Sequence, residues 1–168
     1  MDSAAGFESN PAIRIAIEGY AMVLAKNHFR NLGFHVEDHS RTKPYDLHCT
    51  KGTSILYVEV KGTRSLGDEI QLTPNEVEHT RIHGDKSVLF VVHSVQVTGT
   101  KIPTVNGGKV RIMNPFILDK GTLRPGGLPS AETMASVHEK ASLSAVRLRD
   151  HLSKPIWICI NVHGKHKL

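Results

Sequence analysis

The sequence predicts a domain of the α/β (α+β) class, in which helices flank a mixed central sheet. The pattern opens with a helix, passes through several short strands to a second helix, and then returns to strands. One of these strands, Val88–Val92, is uninterrupted apolar sequence, which is typical of a strand covered on both faces. The length of 168 residues suits one domain with a core of its own.

The first helix is predicted to begin at residue 11 and to end at the glycine at position 33. Asn10 can cap its N-terminus, and Pro11 suits the first helical turn. Glu18 lies on the flank of the apolar stripe of this helix, not at its centre. The stripe that should face the core consists of Ile13, Ile17, Tyr20, Ala21, Leu24 and His28.

Residues 44–61 predict a β-hairpin, and the functional interpretation depends on it. Side chains alternate between the two faces of a strand, so Val58 and Val60 share a face typical of a core. Glu59 and Lys61 lie on the opposite face. The pattern therefore places a carboxylate and an ammonium side by side at one end of the second strand.

The turn of the hairpin decides where the first acid lies. Gly52-Thr53 suits a two-residue type II′ loop, which would place Asp46 directly opposite Glu59. A loop that starts one residue earlier would place Asp46 opposite Tyr57, on the same face of the strand. Under either turn, Asp46, Glu59 and Lys61 are expected to converge.

This convergence indicates metal-assisted chemistry on a phosphate. Two carboxylates a few ångströms apart repel each other unless a cation or a proton lies between them. A hard divalent ion such as Mg²⁺ binds one or two carboxylates and completes its shell with water and phosphate oxygens. A neighbouring lysine can hold or deprotonate the attacking water and offset the charge that grows on the phosphate.

Asp46 followed by Glu59-Val60-Lys61 resembles the motif of the PD-(D/E)XK nuclease superfamily. The longer runs at 44–47 and 57–63 are similar to one branch, which includes the Mrr-like restriction enzymes and the nuclease-like C-terminal domain of NO VEIN-type proteins. The resemblance covers roughly residues 11–118. It departs from the literal motif because a tyrosine separates the proline from the aspartate.

By this resemblance the fold is a restriction-endonuclease-like core with its site at one edge of the sheet. The implied activity is Mg²⁺-dependent endonuclease hydrolysis of DNA phosphodiester bonds in restriction, defence or repair, with Mn²⁺ as a substitute. Asp46, Glu59 and the backbone carbonyl of Val60 would bind the metal, and Lys61 would position or activate water. Glu18 matches a helical glutamate that often reaches the metal site in the family; the alternative is an ordinary exposed glutamate.

Four further side chains are candidates for contact with nucleic acid. Arg41 and Lys43 lie in the basic loop before the hairpin, where a merely solvated loop is the alternative. Arg64 lies in the loop Gly62–Glu69, predicted to be a mobile flap, and Gln71 follows that loop. The chain carries 21 Lys and Arg against 16 Asp and Glu, a net charge of +5 that favours a polyanionic partner.

The second helix is predicted to begin at Thr73-Pro74-Asn75-Glu76, which has the form of a capping box, and to run to His83. Glu76 is predicted only to cap this helix. His79 and His83 have a spacing that can hold zinc. Because no third ligand is near in the sequence, solvated helix histidines are the preferred interpretation.

We predict a single nuclease-like domain over residues 1–168, with a core at 11–118 and a C-terminal helix and strand extension at 130–162. The apolar stripe at 134–152 either covers the sheet of its own domain or forms a homodimer contact. One site cuts one strand, so cleavage of both strands in one step asks for two sites related by a two-fold axis. A last strand is expected at 155–162.

The chain is expected to be intracellular, in the cytoplasm or, in a eukaryote, the nucleus. Cys49 and Cys159 form no disulfide framework, and no apolar run is long enough to suggest a membrane partner. Two rivals to a DNA-cleaving enzyme stay open. One is a non-catalytic nucleic-acid-binding or interaction module that retains the motif. The other is a structural domain of a defence or repair complex, active only when a partner subunit assembles it.

Overall fold

The structure is a computed structural model that describes residues 8–118, 123–125 and 156–159. Neither described helix combines the length and the apolar composition that crossing a lipid bilayer requires. In this part of the chain the elements are, in order, α1 (Pro11–Asn31), β1 (His35–Asp38), β2 (Leu47–Lys51), β3 (Ser54–Gly62), β4 (Glu69–Leu72), α2 (Pro74–Ile82), β5 (Ser87–Thr98), β6 (Thr104–Met113), β7 (Leu123–Pro125) and β8 (Ile156–Cys159).

The predicted α+β fold class with a mixed sheet is confirmed, and the arrangement is consistent with a restriction-endonuclease-like core. Five strands form one sheet in the order β1-β2-β3-β5-β6, in which β3 and β5 are parallel and the other neighbours are antiparallel. A second sheet has the order β4-β8-β7. Strand β8 lies within the predicted stretch 155–162, whereas the helix and dimer contact predicted at 134–152 fall outside the described residues.

Helix α1 begins as predicted, because the Asn10 side chain accepts hydrogen bonds from the backbone N–H groups of Ala12 and Ile13. Its buried stripe differs from the predicted one: Tyr20, Leu24 and His28 lie on its flanks and are only partly buried. Alanines near the centre of the stripe let the helix lie close to the sheet. The fully buried positions are Ile13, Ile17, Ala21, Ala25 and Phe29.

Strand β5 is covered on both faces, as its apolar run predicts. Val88, Phe90 and Val92 pack with α1 and the hairpin in one core. Leu89 and Val91 point the other way, into a second core. The partners in this second core come from β4, α2 and the segment after β6, namely Ile70, Leu72, Val77 and Phe116.

The loop between β3 and β4 is held in place, so its prediction as a mobile flap is wrong. The Ser94 N–H donates to the Ser65 carbonyl at 2.8 Å, which ties the middle of the loop to β5. The Arg111 guanidinium of β6 donates to the Gly67 carbonyl at 3.0 Å. Backbone and side-chain hydrogen bonds therefore fix the segment that follows Lys61.

Replacement of Gly62 by alanine should lower the free energy of unfolding by about 1–3 kcal/mol, because α1 lies directly against this position. An added Cβ would meet Ile17 Cγ2 at 2.7 Å and Ala21 Cβ at 3.1 Å. Gly19→Ala is the matched control. Gly19 lies in α1, the helix that packs against Gly62, but an added Cβ there would meet nothing within 4 Å. It should raise the stability by up to about 1 kcal/mol through helix propensity.

Denaturant unfolding of the two variants and the parent measures both effects. Equal destabilisation by Gly62→Ala and Gly19→Ala would contradict the close approach of α1 to β3.

Candidate functional site

The hairpin forms with Gly52-Thr53 as its two-residue loop, which is the first of the two predicted alternatives. Lys51 pairs with Ser54, and the register continues to Leu47 opposite Val58. Gly52 has φ 58°, the positive value that the first loop position of a type II′ turn adopts. The alternative loop one residue earlier is therefore excluded.

Asp46 lies one residue before the start of β2 and is fixed by two hydrogen bonds. Its backbone N–H donates to the Val58 carbonyl at 2.9 Å, and its Oδ2 accepts from the Val60 N–H at 2.8 Å. These two residues stand on either side of Glu59 in β3. Asp46 is thus held beside Glu59, although it does not continue the ladder of paired residues.

The ammonium of Lys61 lies between two carboxylates. Its Nζ is 2.6 Å from Glu59 Oε1 and 3.0 Å from Glu76 Oε2. The same Glu76 oxygen accepts a hydrogen bond from the Thr73 N–H at 3.0 Å, which completes the capping box of α2. Glu76 therefore both caps the helix and holds the lysine, and the prediction that it only caps is wrong.

The signal for this second role of Glu76 is present in the sequence. A capping box turns the glutamate side chain back toward the start of its helix. The start of α2 comes directly after β4, and β4 follows the loop that leaves Lys61. Sequence reasoning missed the contact because it assigned the carboxylate to one partner.

The face of β3 that carries the charges is mostly covered. The Glu59 side chain is only 8% exposed and the Lys61 side chain 23%. Tyr57 of the same face packs against His79 and His83 of α2, with ring centroids 4.9 Å and 5.0 Å apart. The ion pair is therefore a buried one, and its geometry is set by packing.

Burial and neighbouring charge shift the pKa values of these groups in definite directions. Burial raises the pKa of Asp46, against the lowering effect of the Val60 N–H and of Lys61. Burial also raises the pKa of Glu59 well above its usual value, again opposed by the Lys61 ammonium. Burial alone would lower the pKa of Lys61, but Glu59 and Glu76 outweigh it and raise that pKa. Lys61 is thus a firmly protonated ammonium.

Glu59 and Glu76 contact this one ammonium, and Asp46 is held beside Glu59 by the Val60 N–H, which leaves an excess of negative charge that a cation can relieve. Asp46 and Glu59 each use one oxygen on Val60 and Lys61, respectively, and keep the other for a ligand. Among the described residues, no three His, Cys, Asp or Glu side chains group as a metal site. Two carboxylates fit Mg²⁺, which completes its shell with water and phosphate oxygens.

The charged residues line one wall of an open space that we call the central cleft, with a volume of about 1260 Å³. Most of the predicted site residues border it, whereas Lys43 lines a neighbouring cavity. The predicted site residues on its walls are Glu18, Arg41, Asp46, Glu59, Val60, Lys61, Arg64 and Gln71.

Glu18 lies on the cleft wall, but its recorded partner is not one of the acids. Its carboxylate is 3.8 Å from Arg14, one helical turn earlier, and its side chain is 62% exposed. Arg64, which also lines the cleft, pairs with Glu8 at 3.2 Å. The role of Glu18 as a metal ligand stays a prediction, and the structure supplies a competing partner for it.

His79 and His83 do not form the solvated pair that the sequence predicts. Their rings are 4.6 Å apart and both pack against Tyr57. Tyr45, the residue before Asp46, lies 4.8 Å from His79. A layer of half-buried rings thus lies beside the charged residues; its members are His39, Tyr45, His48, Tyr57, His79 and His83.

Comparison with known proteins gives one match. The family profile described as Protein NO VEIN, C-terminal, matches residues 17–105, which is more than half of the chain. This stretch holds Asp46, Glu59, Lys61 and Glu76. No curated protein and no solved structure matches the chain.

Replacing Lys61 by methionine should lower the free energy of unfolding by about 3 kcal/mol, because it leaves Glu59 and Glu76 without their counter-ion. Adding Glu59→Gln to this variant should restore part of the loss, since it removes the unpaired buried carboxylate. Lys101→Met, at an exposed loop position, is the matched control and should change little. Denaturant unfolding reports all three, and equal stability of the two methionine variants would refute the buried pair.

Proposed function

The chain belongs to the family of the NO VEIN C-terminal domain, and on this basis we propose that it is a metal-dependent endonuclease that hydrolyses DNA phosphodiester bonds. We further propose that it belongs to the PD-(D/E)XK superfamily. The observation that carries the proposal is the Lys61 ammonium, fixed beside Asp46 and Glu59 on the wall of an open cleft. A purely structural ion pair would not need a second acid or an adjoining open space.

In this proposal Asp46 and Glu59 hold the metal ion through the oxygens that Val60 and Lys61 leave free. Val60 also borders the cleft, and its backbone carbonyl would be the third protein ligand. Bound Mg²⁺ would supply Lewis-acid activation of the phosphate and of water. The hydrogen bond from the Val60 N–H to Asp46 Oδ2 orients the carboxylate, and it leaves the second oxygen to bind the metal.

Lys61 acts in this mechanism as a donor and a positive charge. Because Glu59 and Glu76 raise its pKa, it does not serve as the base that removes a proton from water. An ammonium at this place can hold the attacking water and offset the negative charge that develops on the phosphate. Glu76 restrains the ammonium from moving into solvent, since it pairs with Nζ from the first turn of α2.

The size of the cleft and the arginines among its lining residues support a polymeric, anionic substrate. Its volume of about 1260 Å³ exceeds the roughly 300–1,000 Å³ of ordinary small-molecule pockets. Arg41 and Arg64, which line it, can contact phosphates of the bound strand, and Gln71 can contact the nucleotide. The net charge of +5 favours the same partner.

Asp46→Asn should abolish Mg²⁺-dependent cleavage of duplex DNA, by more than about 100-fold, while the protein stays folded. The amide oxygen can still accept the Val60 N–H, so only the metal ligand is lost. Mn²⁺ should replace Mg²⁺, and Ca²⁺ should support binding without turnover. Gel assays of cleavage, with Asp85→Asn at an exposed position as control, measure the effect. Full activity after thorough EDTA treatment would refute the metal dependence.

The affinity for duplex DNA should fall steeply with salt, because cations that contact phosphates release counter-ions. Arg41→Ala and Arg64→Ala should each reduce the slope of log affinity against log salt by about 1. Lys101→Ala, outside the cleft, should leave the slope unchanged. Fluorescence anisotropy over a salt series gives these slopes. A flat response would instead favour the non-catalytic interaction module.

A further inference from the structure

A second cavity, of about 480 Å³, lies next to the central cleft, and we call it the side cavity. Glu76 borders both spaces. The loop before the hairpin also runs from one to the other: Ser40 and Arg41 line the cleft, whereas residues 42–44 line the side cavity. If a nucleic-acid strand binds in the central cleft with a phosphate at Lys61, the side cavity therefore lies next to that strand.

The lining of the side cavity suits a flat, neutral ring better than a phosphate. Its one lysine, Lys43, is offset by the carboxylates of Glu76 and Glu78. Apolar surface comes from Pro44 and from Ile82, whose side chain is 66% exposed although it is large and apolar. An acidic interior repels phosphate, but carboxylates and amides can pair with the polar edges of a base.

His79 lines this cavity, and three other rings pack against its imidazole. Its centroid lies 4.8 Å from Tyr45, 4.9 Å from Tyr57 and 4.6 Å from His83. Burial and then His83 lower the pKa of His79, so its imidazole is neutral at pH 7. A fixed, neutral ring is a surface on which a nucleobase can stack with little loss of side-chain freedom.

We propose that the side cavity receives an unpaired nucleobase of the DNA strand whose phosphate lies in the central cleft. His79 stacks on this base, and Asn75 and Glu78 contact its polar edge. The inference rests on the proposed function and adds a substrate class to it. DNA with an unpaired base near the cut, as in a mismatch or a junction, fits both spaces at once.

The test compares duplexes that differ at one position: a complementary pair, an unpaired base and an abasic residue. Binding is measured by anisotropy in Ca²⁺, so that no cleavage is required. The parent protein should bind the unpaired-base duplex about tenfold more tightly than the abasic one, which is the size expected for stacking of one base.

Four variants locate the effect. His79→Leu removes the ring and should abolish the preference, whereas His79→Phe should keep it. Asn75→Trp, at an exposed position one helical turn before His79, should also abolish it, because the indole fills the cavity and covers the His79 ring against which the base would stack. His35→Leu is the matched control, since His35 is 74% exposed and does not line the cavity, and it should bind as the parent does.

Equal affinity of the parent for the unpaired-base and abasic duplexes would overturn the proposal. A preference that survives both His79→Leu and Asn75→Trp would also overturn it, since the base would then bind elsewhere. If His79→Leu fails to fold, the Asn75→Trp result decides. If the parent prefers the unpaired-base duplex but does not cleave DNA in Mg²⁺, the nuclease proposal is refuted and the base site is retained. If it cleaves DNA but shows no such preference, the base site is refuted and the nuclease proposal is retained. No DNA binding at all would refute both.

Discussion

The buried contact of Lys61 with Glu59 and Glu76 is the interaction on which the rest of the site depends. A charge in this setting is strongly unfavourable without partners, so β3 and the start of α2 must keep their relative position. The capping box of α2 adds to this constraint, because the same Glu76 oxygen serves the helix terminus and the ammonium. The contact that caps α2 and the contact that positions Lys61 therefore depend on the same carboxylate.

The sheet explains why these groups meet at an open cleft. β3 and β5 are parallel, and Glu59 and Lys61 lie near the carboxyl end of β3, the end at which open α/β sheets commonly bind ligands. α1 covers one face of the sheet, and its Ile17 and Ala21 approach Gly62. The other face carries β4, α2 and the ring layer. Asp46, Glu59 and Lys61 thus lie at an edge of the sheet that neither α1 nor the layer of β4 and α2 covers completely.

Much of the fold could be predicted because its signals are local. The turn at Gly52-Thr53, the cap at Asn10 and the apolar run of β5 each depend on residues close together in sequence. The buried stripe of α1 was harder to predict, since several residues at helical spacing compete and only the packed sheet selects among them. The loop after Lys61 was predicted to be mobile because Arg111, which holds it, is distant in sequence.

By itself, the sequence determined the hairpin and the convergence of Asp46, Glu59 and Lys61 on one face, since strand alternation keeps them together under either of the two turns that it allows. The structure selected the turn and with it the register. The tertiary structure decided what surrounds them. Only the packing of α2 on β3 brings Glu76 to Lys61, buries the pair and keeps the lysine charged. Only the path of the loop before the hairpin sends Arg41 to the central cleft and Lys43 to the side cavity. The physical reason is that burial and charge pairing arise between segments distant in sequence, where periodicity carries no information.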